Sequence, residues 1–395
     1  MKLRMSALAL AAALLFPVSV RAVTPAAEDA IPIDAPSAVL MERSTGTLLY
    51  EKNAHERLAP ASVTKIMTLL LVMEAIESGR ISWEDTVITS ETAAAKGGSQ
   101  IYLEVGEAMS MADMVKAVVV SSANDCATAL AEHIAGSEEA FVELMNRRAQ
   151  ELGMKDTKFV NCTGLDDDAN AKEHLTSARD IAIMSRELLK NHPDITKFTT
   201  IWMDTIRDGA FGLSNTNKLV RFYNGATGLK TGFTAAAGYC LSASAQREGL
   251  DLIAVVMGCE TSKDRFAACK SMLDYGFAGF SLIEPQLTEL TEVPVKLGTQ
   301  TAVKAVPSES GSILIDKAQK NQVTQKITLE EQVTAPVSQG QRLGTLELWV
   351  GEQVLTQIPL VADTSIPKLT WGQIFGRVLK QVAMAGDGPN KKAGE

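Results

Sequence analysis

Apolar and polar positions first alternate from Ala38 to Asn53, around the turn signal Ser44-Thr45-Gly46, and this period of two predicts a β-hairpin. Pro60 then opens a helix from Ser62 to Gly79, nearly all apolar between Ile66 and Ile76. A helix apolar on most of its sides belongs at the centre of a domain. Helical spacing recurs at Met111 to Ala135, Ser137 to Leu152 and Ser177 to Lys190. Gly225 to Cys259 reads as three strands, with the clearest turn at Arg247-Glu248-Gly249, and a helix from about Ser262 to Tyr275 closes the region. Strand, helices, then strands again predict an α/β (α+β) domain in which helices cover an antiparallel sheet.

Near Pro285 the pattern changes. Residues 286 to 363 are short Val, Ile, Leu and Thr-rich runs divided by Gly, Pro and polar pairs, as in a small all-β domain, and Lys368 to Met384 is helical after Pro367. At the other end, Lys2 and Arg4 precede an apolar run, Ala7 to Leu15, and Val20-Arg21-Ala22 has the small-residue pattern of a cleavage site. The run is too short to span a bilayer in comfort. The expected organisation is a signal peptide over 1–22, a main α/β domain over 23–284, an all-β domain over 285–365, and an amphipathic helix and tail over 366–395. The mature chain is expected outside the cytoplasm.

A length of 395 residues favours two domains. The net charge of −9 argues against a nucleic-acid partner, because phosphate backbones attract basic faces. Export permits disulfides, yet Cys126, Cys162, Cys240, Cys259 and Cys269 are odd in number and scattered. With no C-x-x-C and no His at ligand spacing, no metal site or cofactor is expected. Most of the five read as small buried hydrophobes, with one bridge left open. Asp166-Asp167-Asp168 reads as an acidic loop rather than a cation site.

Three short signals carry chemistry, in order. Ser62-Val63-Thr64-Lys65 places a lysine one helical turn from a serine hydroxyl. A buried lysine, kept neutral, can take the serine proton and make it a nucleophile. Alone this spacing is weak, since it arises about once by chance in a chain this long. Ser122-Ala123-Asn124 follows an apolar run; its hydroxyl and amide suit proton relay and the holding of an amine or a substrate amide, although a plain helix cap reads the same. Lys230-Thr231-Gly232 lies on a strand, where Gly232 leaves room for a substrate backbone along the edge. That triplet arises by chance in roughly one such chain in ten, so the ordered set of three is far more specific than any member.

The set resembles that of serine penicillin-binding proteins and β-lactamases. The surrounding ASVTKIMT, SSANDCATALAEHIAGS, FVNCTGLDDD, HLTSARDIAIMSRELL, TGLKTGFTAAAGYCLSASA and TAPVSQGQRLGTLEL are similar to low-molecular-mass D-alanyl-D-alanine carboxypeptidases over about residues 30 to 385. The resemblance implies that Ser62 attacks the carbonyl between two terminal D-alanines with Lys65 as base. Ser122 and Asn124 would relay the proton and position the peptide. The backbone N–H groups of Ser62 and Phe233 would hold the oxyanion. Lys230 and Thr231 would meet the terminal carboxylate, with Arg265 as a second cation for it. The implied partners are a peptidoglycan stem peptide ending in D-Ala-D-Ala, and β-lactams that trap the acyl-serine. Phe233 is a departure, because some relatives carry His there; a shift in substrate or antibiotic preference is the expected consequence.

Three rivals remain on the residues. A β-lactamase would use a Glu and an Asn four apart, and Glu187 and Asn191 have that spacing, but Ile181, Met184 and Leu188 make theirs an ordinary amphipathic helix. A D,D-endopeptidase would share all three motifs. A non-catalytic wall-binding protein would be expected to lose one. Finally, Trp371, Phe375, Val378, Leu379 and Val382 recur at helical spacing beside Lys368, Arg377 and Lys380, which suggests an anchor on the outer face of the cytoplasmic membrane.

Overall fold

The computed structural model describes residues 25–167, 170–285, 292–308 and 311–385; the expected signal peptide and Asp168 lie outside the described residues. Two compact units form. Among the described residues one spans 25–282 with 314–318, and the other lies within 283–313 and 319–385.

In the first unit, strands β1 (Ser37–Glu42), β2 (Leu48–Lys52), β3 (Ala226–Thr234), β4 (Gly238–Arg247) and β5 (Leu250–Cys259) make one antiparallel sheet in the order β2-β1-β5-β4-β3. The alternation expected of β1 is replaced by burial of all six residues. Val39 and Met41 join Ile253, Val255 and Met257 in the core on one face, while Ala38 and Leu40 join Leu252, Ala254 and Val256 on the other. Helices cover both faces, so both sets of alternate positions must be apolar. The three strands expected over Gly225 to Cys259 are present, and Glu248 and Gly249 turn the last hairpin with φ of +51° and +81°.

Helix α1 (Lys65–Glu77) runs through the larger core with ten of its residues buried. A 3₁₀ turn, Ala61–Thr64, precedes it, so the α-helix proper begins at Lys65, later than the expected Ser62. The expected helical run from Met111 to Ala135 is broken. It consists of α2 (Met111–Val120) and α3 (Asn124–Ala135), separated at Ser122, whose φ is +64°. A non-glycine residue held there costs on the order of 1–3 kcal/mol and persists only where its surroundings impose it. Helices α4 (Glu138–Glu151) and α5 (Ala178–Asn191) start on Ser137 and Ser177, whose hydroxyls accept from Ala140 N and Asp180 N. Helix α6 (Ser262–Gly279) starts with a reciprocal Thr261/Asp264 cap and covers the second sheet face. A hairpin that the pattern did not announce, Met203–Ile206 with Phe211–Ser214, follows α5.

In the second unit six described strands form a sheet around Val293, Leu346, Ile358 and Leu360. Helix α7 (Trp371–Ala385) ends the described chain. All five cysteines are buried and unpaired, so the bridge left open by the sequence does not form.

Candidate active site

The head of α1 is the centre of the site. Lys65 Nζ lies 2.9 Å from Ser62 Oγ and 2.8 Å from the carbonyl oxygen of Thr163. Lys65 is fully buried, and burial pushes its pKa from the ordinary lysine value down to about 7. The positive end of the α1 dipole acts in the same direction. A neutral amine within hydrogen-bond reach of a serine hydroxyl is a base in place.

The turn that aims Ser62 is braced by residues the motifs did not include. Ala61 has φ +48°, and Thr64 Oγ1 donates to its carbonyl at 2.8 Å. His174 lies 2.8 Å from the same Thr64 hydroxyl. Its Nδ1 accepts from Val160 N at 3.2 Å, so the ring proton sits on Nε2 and points at Thr64. Burial, then the nearby Lys65, push the His174 pKa down to about 4, which keeps the ring neutral. Asn161 Oδ1 accepts from the backbone N–H of Thr163 and Gly164, which shapes the loop that presents the Thr163 carbonyl to Lys65. Gly164, at φ +82°, cannot be replaced freely, because a Cβ there would come within 1.8 Å of Ala61 O. The NCTG tetrapeptide and His174 stood inside the family-like text, but nothing in their spacing assigned them these contacts.

Strand β3 runs directly against the same turn. A Cβ on Gly232 would meet Pro60 O at 2.6 Å and Val63 N at 3.1 Å, so only glycine allows this approach. Lys230 is buried beside it and donates to Thr231 O. Burial, then the charges of Lys65 and Arg265, push its pKa well down. Thr231 Oγ1 donates to Thr216 Oγ1 at 2.6 Å, and Thr216 N donates to Val120 O, which ties β3 to the end of α2 just before Ser122. Asn124 Nδ2 donates to Gly97 O at 2.7 Å, and Asn124 N donates to Ser99 O.

Among the described residues five buried side-chain polar atoms have no hydrogen-bond partner, and three belong to the expected site: Ser122 Oγ, Asn124 Oδ1 and Arg265 Nε. Buried polar atoms are otherwise almost always paired, so these three are left with a hydrogen bond to make. Arg265 Nη1 is already engaged, donating to Gly232 O and Cys240 O, and its guanidinium lies between the rings of Tyr239 and Phe266. Phe233 is 53% exposed and stacks on Tyr239 with centroids 4.2 Å apart. Glu187 accepts from Arg148 at 2.6 Å in a network with Glu74. That ion pairing fits the ordinary helix read for it, not a deacylating carboxylate.

Fold and site together define a serine-type peptidase of the penicillin-binding class. Residues 22–261 match the family model for Peptidase S11, D-alanyl-D-alanine carboxypeptidase, and residues 285–368 match the C-terminal domain of penicillin-binding protein 5; the chain belongs to this carboxypeptidase family. It is 46% identical over 341 residues to the D-alanyl-D-alanine carboxypeptidase DacF of Bacillus subtilis, covering 85% of this chain and 86% of that one. Penicillin-binding protein 5 from Haemophilus influenzae superposes with a TM-score of 0.71 at 32% identity, over 88% of this chain and 100% of that chain. The ampicillin-bound penicillin-binding protein D2 of Listeria monocytogenes gives a TM-score of 0.57 at 32% identity, over 62% of this chain and 98% of that chain.

A base with a pKa of about 7 has a kinetic signature. Only the neutral amine accepts the Ser62 proton, so the second-order rate of acylation by a penicillin should fall about tenfold per pH unit below that pKa. Stopped-flow acylation between pH 5 and 8 measures it, and a flat profile would contradict the assignment of Lys65.

Proposed function

We propose that the chain is a serine-type D-alanyl-D-alanine carboxypeptidase that removes the terminal D-alanine of peptidoglycan stem pentapeptides through an acyl-Ser62 intermediate. The observation that carries the mechanism is the 2.9 Å approach of a fully buried lysine amine to Ser62 Oγ. Ser62 Oγ attacks the carbonyl carbon between the two D-alanines as its proton passes to Lys65 Nζ. The oxyanion is received by the backbone N–H groups of Ser62 and Phe233. The unpartnered Ser122 hydroxyl hands a proton to the leaving nitrogen, and Asn124 Oδ1 accepts from a peptide N–H. The substrate's terminal carboxylate meets Thr231 and Lys230. An anion arriving beside Lys230 favours its ammonium form, so binding restores the charge that burial suppressed. The Nε of Arg265 adds a further donor. Water then hydrolyses the ester; a β-lactam leaves a slower one.

The mature protein is proposed to work at the outer face of the cytoplasmic membrane, held there by α7. Among the described residues no helix is long and apolar enough to cross a membrane. The first half of α7 shows how it would lie on one. Arg377 donates to the carbonyls of Gly298 and Thr299, and Gln373, Gly376 and Arg377 line a crevice with Thr299 and Leu369. At 100° per residue, Trp371, Phe375, Val378 and Leu379 fall on the opposite side, and they are 86%, 66%, 52% and 54% exposed. The helix therefore docks on its own unit by its polar side and offers its apolar side to a lipid surface.

Release of D-alanine from a pentapeptide is the deciding assay: wild type should turn over, and Ser62→Ala should release none and lose labelling by fluorescent penicillin. An unlabelled wild type would overturn the reading. Phe375→Glu combined with Leu379→Glu should weaken co-sedimentation with anionic phospholipid vesicles at least about tenfold, from the apolar area lost. Unchanged binding would remove the anchor.

A further inference from the structure

The mechanism above needs the backbone N–H of Phe233, and that donor sits near the end of a hairpin. β3 is an edge strand, and it turns into β4 through Ala235 and Ala236, both exposed. A segment with a neighbour on one side and few buried contacts opens readily. A donor for an oxyanion must nevertheless be aimed before the reaction begins. The peptide between Gly232 and Phe233 therefore has to be held.

Arg265 holds its carbonyl. It lies in the first turn of α6, which Thr261 and Asp264 cap, and its Nη1 donates to Gly232 O at 2.9 Å and to Cys240 O at 3.3 Å. The peptide is trans, so its C=O and its N–H point in opposite directions. Fixing Gly232 O on Arg265 thus turns the Phe233 N–H away from α6. The turn that carries Ser62 crowds Gly232 from the other face of the sheet, through Pro60 and Val63. A cation on the carbonyl also makes the N–H of the same peptide a stronger donor.

Tyr239 holds both partners of that peptide. It pairs with Phe233 across β3 and β4, and with Cys259 at the end of β5. Its ring stacks on Phe233 with centroids 4.2 Å and planes 28° apart. The Arg265 guanidinium carbon lies over the same ring, 5.1 Å from its centroid. The geometry points to Tyr239 as a positioning residue for the oxyanion donor, fixing the Phe233 N–H by stacking on Phe233 and by seating Arg265 against Gly232 O. This rests on the carboxypeptidase reading and gives Arg265 a task besides the substrate's carboxylate.

The probe that separates those two tasks is a peptidyl boronic acid, diacetyl-L-lysyl-D-alanine with boron in place of its carboxyl carbon. Ser62 Oγ bonds to boron as its proton passes to Lys65, and a boron hydroxyl takes the place of the oxyanion. The molecule ends at boron, so it has no terminal carboxylate for Arg265 to meet. Tyr239→Leu should raise its inhibition constant about tenfold or more, and lower kcat/KM for diacetyl-L-lysyl-D-Ala-D-Ala by a similar factor. Tyr239→Phe, which keeps the stack, should change neither. Arg265→Lys, which keeps the charge but not the planar fork, should also weaken the boronate, and it carries the test if Tyr239→Leu melts early. A folded Tyr239→Leu or Arg265→Lys that binds the boronate as tightly as wild type would overturn the positioning role, even if peptide turnover fell. A wild type that releases no D-alanine would overturn the carboxypeptidase reading instead, and the boronate series would still decide Tyr239.

Discussion

Everything in the first unit depends on one unfavourable placement: the Lys65 amine is buried at the head of an apolar helix. Moving its pKa from 10.5 to about 7 represents on the order of 5 kcal/mol of lost solvation for the charged form. The fold sustains that cost because α1 is sheathed on all sides, by the sheet face with Val39, Ile253 and Val255 and by α3, α4 and α5. Without the sheath the lysine would be an ordinary surface ammonium, and Ser62 an ordinary hydroxyl.

The same constraint explains the small residues around it. Gly164 and Gly232 let two backbone segments close on the Ala61–Thr64 turn, and a Cβ at either would strike it. The Thr163 carbonyl and Ser62 Oγ are what remains for the amine to bond. Three distant motifs become one site through short links: Gly232 against Pro60 and Val63, Thr231 through Thr216 to Val120, and Asn124 onto Gly97 and Ser99. The positive φ at Ser122 is the strain that turns α2 away and brings its hydroxyl inward.

Much of this was legible in the residues because it is local. A serine and a lysine three apart on a helix share a face whatever surrounds them. The strands from Gly225 to Cys259 announced themselves by apolar runs and a Glu248-Gly249 turn. Long-range arrangements were not legible. Helical spacing persists straight through Ser121 to Ala123, so periodicity read one helix where tertiary contacts impose a break. β1 looked half-exposed from its alternation, yet α6 covers the second face. His174 and Asn161 act through hydrogen bonds to partners that no spacing could name. Arg265 was expected at the substrate carboxylate; most of its bonding braces β3 from behind, with Nε left over. In α7 the basic Arg377 was expected to serve the membrane face, and it instead clamps the helix to Gly298 and Thr299.

The central claim is that Lys65 is a neutral amine when Ser62 reacts. Its protonation can be read directly from the Cε resonance in protein labelled with ¹³C-ε-lysine, assigned by comparison with Lys65→Arg. The account predicts a titration midpoint near 7 for that resonance. A Cε signal that stays in the ammonium position up to pH 9 would contradict it.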